Sequence, residues 1–485
     1  MRKYVHLAGA AVLTMHLVSA VLSYAKASVL WGSPASPRAF DFFKNFADQH
    51  PWLFFFRDYF ANTETVLIVH FVPIALTSIL FVWLYAALHL RTDTDDGNIP
   101  DVLSKWAVAF GCAAIFAYPL FTQDFWLSSV WGRMSAGGVN PYYVTFSPAW
   151  IAELPLDHFP LTMSYGPFWA ALSTLTETAA QESMLVSFII FKALLAAAWF
   201  AALRLLISMT AGMPTIERSL AMLLFGWLPL NVQETLAEGH NDIMMTSFAL
   251  LWIFLLARKS SMAPVALMTS ALCKYITAPL FLVDFVTCLR RDGLSLWRYI
   301  LRLLPSCLFG LVVFALYYRS PAFFHALFLI NDWPFLLPRD AIMAIDRIAG
   351  GYLKPLAGIS IAIFPAIALH SLYRLYVDAD GTNRHKAGLA VLCAISLSAV
   401  NHLWPWYLIW VIPFAALVPR WWLSRFVVGL ALFAPFTAVV WWVPALAAFK
   451  DLAALGLYSG AIGWTFVSSW IMRRSTHEVS ITAGP

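Results

Sequence analysis

From Thr65 to Leu90 the chain reads TVLIVHFVPIALTSILFVWLYAALHL, with no Asp, Glu, Lys or Arg. A run this long and apolar suits a helix across a hydrocarbon core about 30 Å thick, which takes about 20 such residues. In lipid the backbone must satisfy its own hydrogen bonds, which leaves helices or a closed barrel. An uninterrupted run lacks the alternation of a barrel strand. Comparable runs recur near 4–25, 105–121, 184–208, 218–235, 241–257, 262–275, 277–290, 299–318, 352–374, 387–402, 404–419, 425–444 and 453–472. Two neighbouring pairs, 262–275 with 277–290 and 387–402 with 404–419, are short enough to be half-buried helices meeting at a turn. The expected count is therefore eleven to fourteen spans. The sequence predicts an all-α polytopic membrane protein, a single transmembrane domain over 1–485.

Composition agrees. The chain is 61% hydrophobic and 12% charged, where soluble domains are closer to half apolar and a quarter charged. No basic run with interleaved aromatics stands outside the apolar segments, which argues against a nucleic-acid partner. The five cysteines (Cys112, Cys273, Cys288, Cys307, Cys393) fall inside apolar segments without metal-type or disulfide-framework spacing. Residues 1–27 end in a signal-like Ala25-Lys26-Ala27, but the apolar stretch is longer than a signal core, so an uncleaved first helix is expected. Placing Arg2 and Lys3 inside puts most Lys and Arg in the inner segments. Both termini then lie inside, and the long loops 26–62, 122–183 and 319–351 lie outside.

Charge in so apolar a chain asks for a reason. Residues 229–242 read PLNVQETLAEGHND, placing Glu234, Glu238, His240, Asn241 and Asp242 between two apolar runs. On a continuous helix Glu234, Glu238 and Asp242 would share a face; Gly239 is expected to break it and bend the chain into an outward cavity. These side chains suit sugar hydroxyls. A divalent cation is the alternative occupant, since the same groups are metal donors in kind, and helix capping by Asn241 or Asp242 is the structural alternative. Asp124 stands alone among Phe125, Trp126 and Leu127, where an unpaired charge is costly. Trp126, Trp131, Tyr142, Tyr143 and Trp150 are expected to anchor at the headgroups. Lys274 ends the apolar run PVALMTSALCK, and Lys192 interrupts another at a cost of about 2.5–3.5 kcal/mol at a helix centre.

Taken in order, Asp124, Gly132-Arg133, Gly138 to Tyr142, Tyr165-Gly166-Pro167, Glu238 to Asp242, Cys273-Lys274-Tyr275 and Pro405 to Trp410 resemble the membrane glycosyltransferases of the GT-C class. The set is similar to the polyprenol-phosphate-mannose-dependent alpha-mannosyltransferases of bacteria. That resemblance implies a hexosyltransferase of the inner membrane that serves a cell-envelope glycan. Its donor would be a polyprenyl-phosphate sugar, its acceptor a glycolipid or glycan, its site outward-facing and its chemistry inverting. It implies Asp124 as general base. Arg133, Tyr165, Glu234, Glu238, His240, Asn241, Asp242, Lys274, Tyr275, His402 and Trp404 are the expected substrate-binding residues, with Lys274 on the lipid phosphate. Arg319, Arg339 and Arg347 in the third outer loop are further phosphate candidates. No cofactor is called for beyond the divalent-cation alternative. A lipid-linked sugar flippase or another polytopic transporter is the competing class. It is disfavoured because ionisable residues gather at the outer ends of spans rather than at the midplane of repeated halves.

Overall fold

A computed structural model describes residues 1–30, 63–90, 97–120, 122–145, 162–181, 183–327, 336–348, 350–400, 402–437 and 449–482. Trp150 lies outside them, as does most of the loop 26–62. Every regular element among the described residues is helical. The order begins α1 Arg2–Leu30, α2 Thr63–Leu90, α3 Ile99–Ala114, α4 Asp124–Ala136, α5 Pro167–Ala180, α6 Met184–Thr210 and α7 Thr215–Gly226. It continues with α8 Pro229–Val232, a π-helical turn Gln233–Ala237, α9 Asp242–Ala257, α10 Ala263–Cys273, α11 Leu280–Arg290 and α12 Leu296–Ala315. After α13 Ala322–Leu327, α14 Pro338–Ile348 and α15 Lys354–Val377 comes α16 Gly381–Ala394, followed by a π-turn over Ile395–Ala399. A 3-10 segment Pro405–Trp410 leads into α17 Ile412–Leu417, α18 Trp422–Thr437 and α19 Lys450–Thr482. The chain is an all-α polytopic membrane protein.

Six of these helices are long and apolar enough to cross a membrane: α1, α2, α6, α12, α15 and α19. A seventh span would be the pair Pro229–Ala237 and Asp242–Ala257, bent by 115° at its break. Among the described residues this count takes in only the long helices; the shorter apolar helices Ala263–Cys273, Pro405–Leu417 and Trp422–Thr437 stand outside it. Several apolar runs do not form one helix: 262–290 divides into α10, a 3-10 turn and α11, and 387–419 into α16, a π-turn, the 3-10 segment and α17. An eleven-residue helix is about 16 Å long, half the hydrocarbon thickness. Prolines at or next to the start of α8, of the 3-10 segment and of α17 mark where these runs restart.

The described residues of the segment 122–183 include the helices α4 and α5. Helices α4 and α5 pack on each other, and α5 packs on α10. Gly166 permits the latter contact: a Cβ there would stand 2.0 Å from the Leu272 carbonyl oxygen, and its N–H donates to the Cys273 carbonyl at 2.8 Å. The aromatics expected at the headgroups are mostly interior. Trp126, Trp131 and Tyr142 are buried, and the Tyr142 hydroxyl donates to the Tyr165 carbonyl at 2.7 Å. Folding of this loop onto the bundle buries rings that composition alone would leave at the interface.

Candidate active site

Asp124 opens α4, where its carboxylate favours the positive end of the helix. Its backbone N–H donates to Thr122 Oγ1 at 3.0 Å, and its side chain remains partly open. His240 meets it from the break before α9. The His240 ring is fully buried, with Nδ1 3.3 Å from Asp124 Oδ2 and Nε2 3.2 Å from Glu234 Oε2. Both contacts are at ion-pair distance without hydrogen-bond alignment. A carboxylate, an imidazole and a second carboxylate therefore lie in line.

The break that places them has a local cause. Gly239 adopts φ +81°, a left-handed conformation open to glycine, and an added Cβ would lie 2.7 Å from the Phe125 ring. Glu238 holds the break from one side: Oε2 accepts the Leu120 N–H at 2.8 Å and Oε1 the Gln233 amide at 3.1 Å. Asn241 is buried just before α9, with Oδ1 lacking a hydrogen-bond partner.

Asp242 is wholly buried at the start of α9. Its Oδ1 accepts Lys274 Nζ at 2.7 Å and the Trp410 indole N–H. Lys274 caps α10 in extended backbone, φ −158° and ψ 125°, which turns its side chain out of the helix line. Its ammonium sits over the rings of Tyr407 at 4.9 Å, Trp410 at 5.0 Å and Tyr165 at 5.3 Å. Such contacts favour a cation most when it is desolvated. Tyr275 follows in the 3-10 turn with its hydroxyl buried.

Tyr165 lies between the two halves. Burial alone raises the Asp124 carboxyl, but the His240 contact, the Lys274 ammonium and the Tyr165 hydroxyl outweigh it. They hold the group below its ordinary value of 3.8. Asp124 is thus held as an anion.

The segment 402–410 closes the site. His402 Nε2 is 3.1 Å from the Tyr407 hydroxyl. Trp406 stacks on His240 at 4.3 Å and 14°, and Trp404 stacks on Trp406 at 4.9 Å and 6°. The sequence reading places Pro405 to Trp410 among the motifs of the resemblance but gives a substrate role only to His402 and Trp404, not to Trp406, Tyr407 or Trp410. Residues three apart eclipse in a 3-10 helix, and Tyr407 and Trp410 stack at 4.2 Å.

Arg133 does not join this group. It lies about 13 Å further along α4 and pairs with buried Glu177 of α5 at 3.0 Å. Glu177 also accepts from Ser129 at 2.5 Å and from Ser187. The other basic candidates are engaged elsewhere: Arg339 lies 3.8 Å from Asp340, Arg347 pairs with Asp451, and Arg319 donates to the Ala315, Leu316 and Tyr318 carbonyls. Among the described residues no group of three or more His, Cys, Asp and Glu side chains converges as a metal site would.

No curated protein matches the chain. A family model described as alpha-(1->6)-mannopyranosyltransferase, N-terminal domain, matches residues 28–291. That is more than half of the 485 residues, and it holds Asp124, Tyr165, Glu234, His240, Asp242 and Lys274 while ending before the aromatic segment 402–410. The chain therefore belongs to the alpha-(1->6)-mannopyranosyltransferase family and is a multi-pass membrane mannosyltransferase.

Proposed function

We propose that the protein transfers mannose from a polyprenyl-phosphate donor to the hydroxyl of a glycolipid or glycan acceptor at the outer face of the inner membrane. In such a donor the lipid phosphate is the leaving group. Transfer then needs a base for the acceptor proton, a cation for the departing phosphate and a surface for the sugar. The observation that carries the reading is the placement of Asp124 and Lys274 around Tyr165, the anion and the cation supplied by different helices.

Asp124 Oδ accepts the acceptor O–H proton as the oxygen attacks the anomeric carbon. The bond to the phosphate oxygen breaks and its electron pair leaves with the lipid phosphate. Attack opposite the leaving group inverts the centre, so an α product requires a β-configured donor. The family's alpha-(1->6) linkage points to a primary 6-hydroxyl as the nucleophile. A positioned base is worth about 10²–10⁴-fold, and a preorganised cation at the leaving group can be worth more. Lys274 stands where that charge develops. Holding it on Asp242 and three rings keeps the ammonium in place before substrate arrives. His240 orients Asp124, while Glu234 fixes the other ring nitrogen. The Trp404–Trp406 stack offers an apolar wall for a pyranose ring.

The test is transfer of label from radiolabelled polyprenyl-phosphate-mannose in membranes, with the unmodified protein, with Asp124→Asn, and with and without chelator. Label is expected to reach a new product only with the unmodified protein, while Asp124→Asn loses at least about 100-fold and keeps its folded yield. Substantial turnover by Asp124→Asn removes it as the base. Movement of intact donor across the bilayer without a new product would point to a flippase. A chelator-dependent rate would assign a divalent cation to the site.

A further inference from the structure

Lys192 takes no part in that scheme, yet it sits in α6, a helix long enough to span the membrane. It lies eight residues past Met184, about 12 Å along the axis, and is 3% exposed. A buried intramembrane lysine needs a partner. Its Nζ donates to the Leu236 carbonyl at 2.6 Å and the Ala237 carbonyl at 2.7 Å.

Those two carbonyls are special. They end the π-turn, where a helix leaves its last carbonyls without N–H partners. The donor that a continuing α-helix would bring to the Leu236 carbonyl is diverted by the bend: His240 N–H goes back to the Glu234 carbonyl at 3.1 Å. One ammonium thus supplies two hydrogen bonds that the bend removes. It also lies 5.7 Å from the Phe125 ring centre and 5.6 Å from that of Phe188. Phe125 follows Asp124 and packs on Gly239. Lys192 therefore touches the carbonyls just before the turn bearing His240 and the residue next to Asp124.

We infer that Lys192 is a positioning residue for transfer: by capping Leu236 and Ala237 it fixes the 115° bend that sets His240 between Asp124 and Glu234. The catalytic readout rests on the proposed function; the structural placement does not.

The test uses the full chain in lipid nanodiscs, with Lys192→Met, which keeps the stem and removes the donors, and Lys192→Arg, which keeps charge and donors. The kinetic constants for mannose transfer, the pH profile and hydrogen exchange over 233–242 are measured. Lys192→Met is expected to lose about 100-fold in kcat, the scale of a misplaced catalytic geometry, with KM for the donor nearly unchanged. Its acid limb moves to higher pH, because Asp124 loses the His240 contact that opposes burial. Exchange over 233–242 becomes faster, and Lys192→Arg recovers most of the rate. Wild-type kcat and pH profile in a folded Lys192→Met overturn the inference. If Lys192→Met does not fold, Lys192→Ala, which likewise removes the donors, is read by the same criteria. If the unmodified protein transfers no lipid-phosphate sugar, the functional reading fails. Hydrogen exchange then decides alone: faster exchange at 233–242 supports the positioning role, and unchanged exchange overturns it.

Discussion

At the residue scale the site is a set of paired opposites held out of water. Asp124 keeps a depressed carboxyl, so its charge is present above the ordinary value of 3.8 and is lost only as pH falls below it. The transfer rate should therefore stay level from pH 8 to about 5 and fall only under about pH 4. In His240→Gln the burial that raises the carboxyl is less opposed, and the acid limb should move upward. A rate profile of both proteins, in which His240→Gln keeps the unmodified acid limb, would remove His240 as the orienting partner. The Lys274–Asp242 pair makes a second forecast. Asp242 has no exposed side-chain surface and one oxygen without a partner. Removing one member of a buried pair costs about 3–5 kcal/mol because the other charge stays uncompensated. Lys274→Met should lower thermal stability by that order, and Lys274→Met with Asp242→Asn should recover most of it. Neither variant should transfer sugar. Equal stabilities for the single and double variants would show that the pair is not coupled.

At the element scale the decisive features are where helices stop. Gly239 turns the α8–α9 pair, and Gly166 lets α5 approach α10 within contact of the Leu272 carbonyl. Gly166→Ala should therefore cost about 1–3 kcal/mol, as overpacking does, and move Tyr165 away from Lys274. Transfer should fall about 100-fold in protein that still folds; a full rate in that variant would show the contact to be dispensable. The bend at Gly239 was legible because glycine follows an apolar helix and precedes a run of polar residues. The π-turn, the 3-10 segment and the Glu177 cluster were not. Hydropathy reads PWYLIW as a stretch of span, and nothing local distinguishes a tryptophan facing lipid from one stacked on histidine.

At the scale of the whole molecule, the lysine and arginine distribution predicts a topology that can be measured. With exposed Cys112 and Cys307 replaced by serine, Ala136→Cys should react with an impermeant maleimide added outside intact cells. Ala211→Cys should react only after the membrane is opened. Both residues are exposed and belong to loops expected on opposite sides. The reverse pattern would place the site inside and exclude a donor presented at the outer face.

The amino-acid sequence is enough for the all-helical membrane class, since apolar runs of this length satisfy their backbone in lipid only as helices. It also named Asp124, Glu234, His240, Asp242 and Lys274, because a polar residue in an apolar chain is costly and visible wherever it stands; Tyr165 entered through the resemblance of its Tyr-Gly-Pro motif. Which of them meet follows from the packing of the helices. Asp124 reaches His240, Lys274 reaches Asp242 and Tyr165, and Arg133 turns away to Glu177. Period and composition fix which residues must be buried or paired, but the partner is chosen by helix ends and close glycine contacts that bring together positions far apart in the chain.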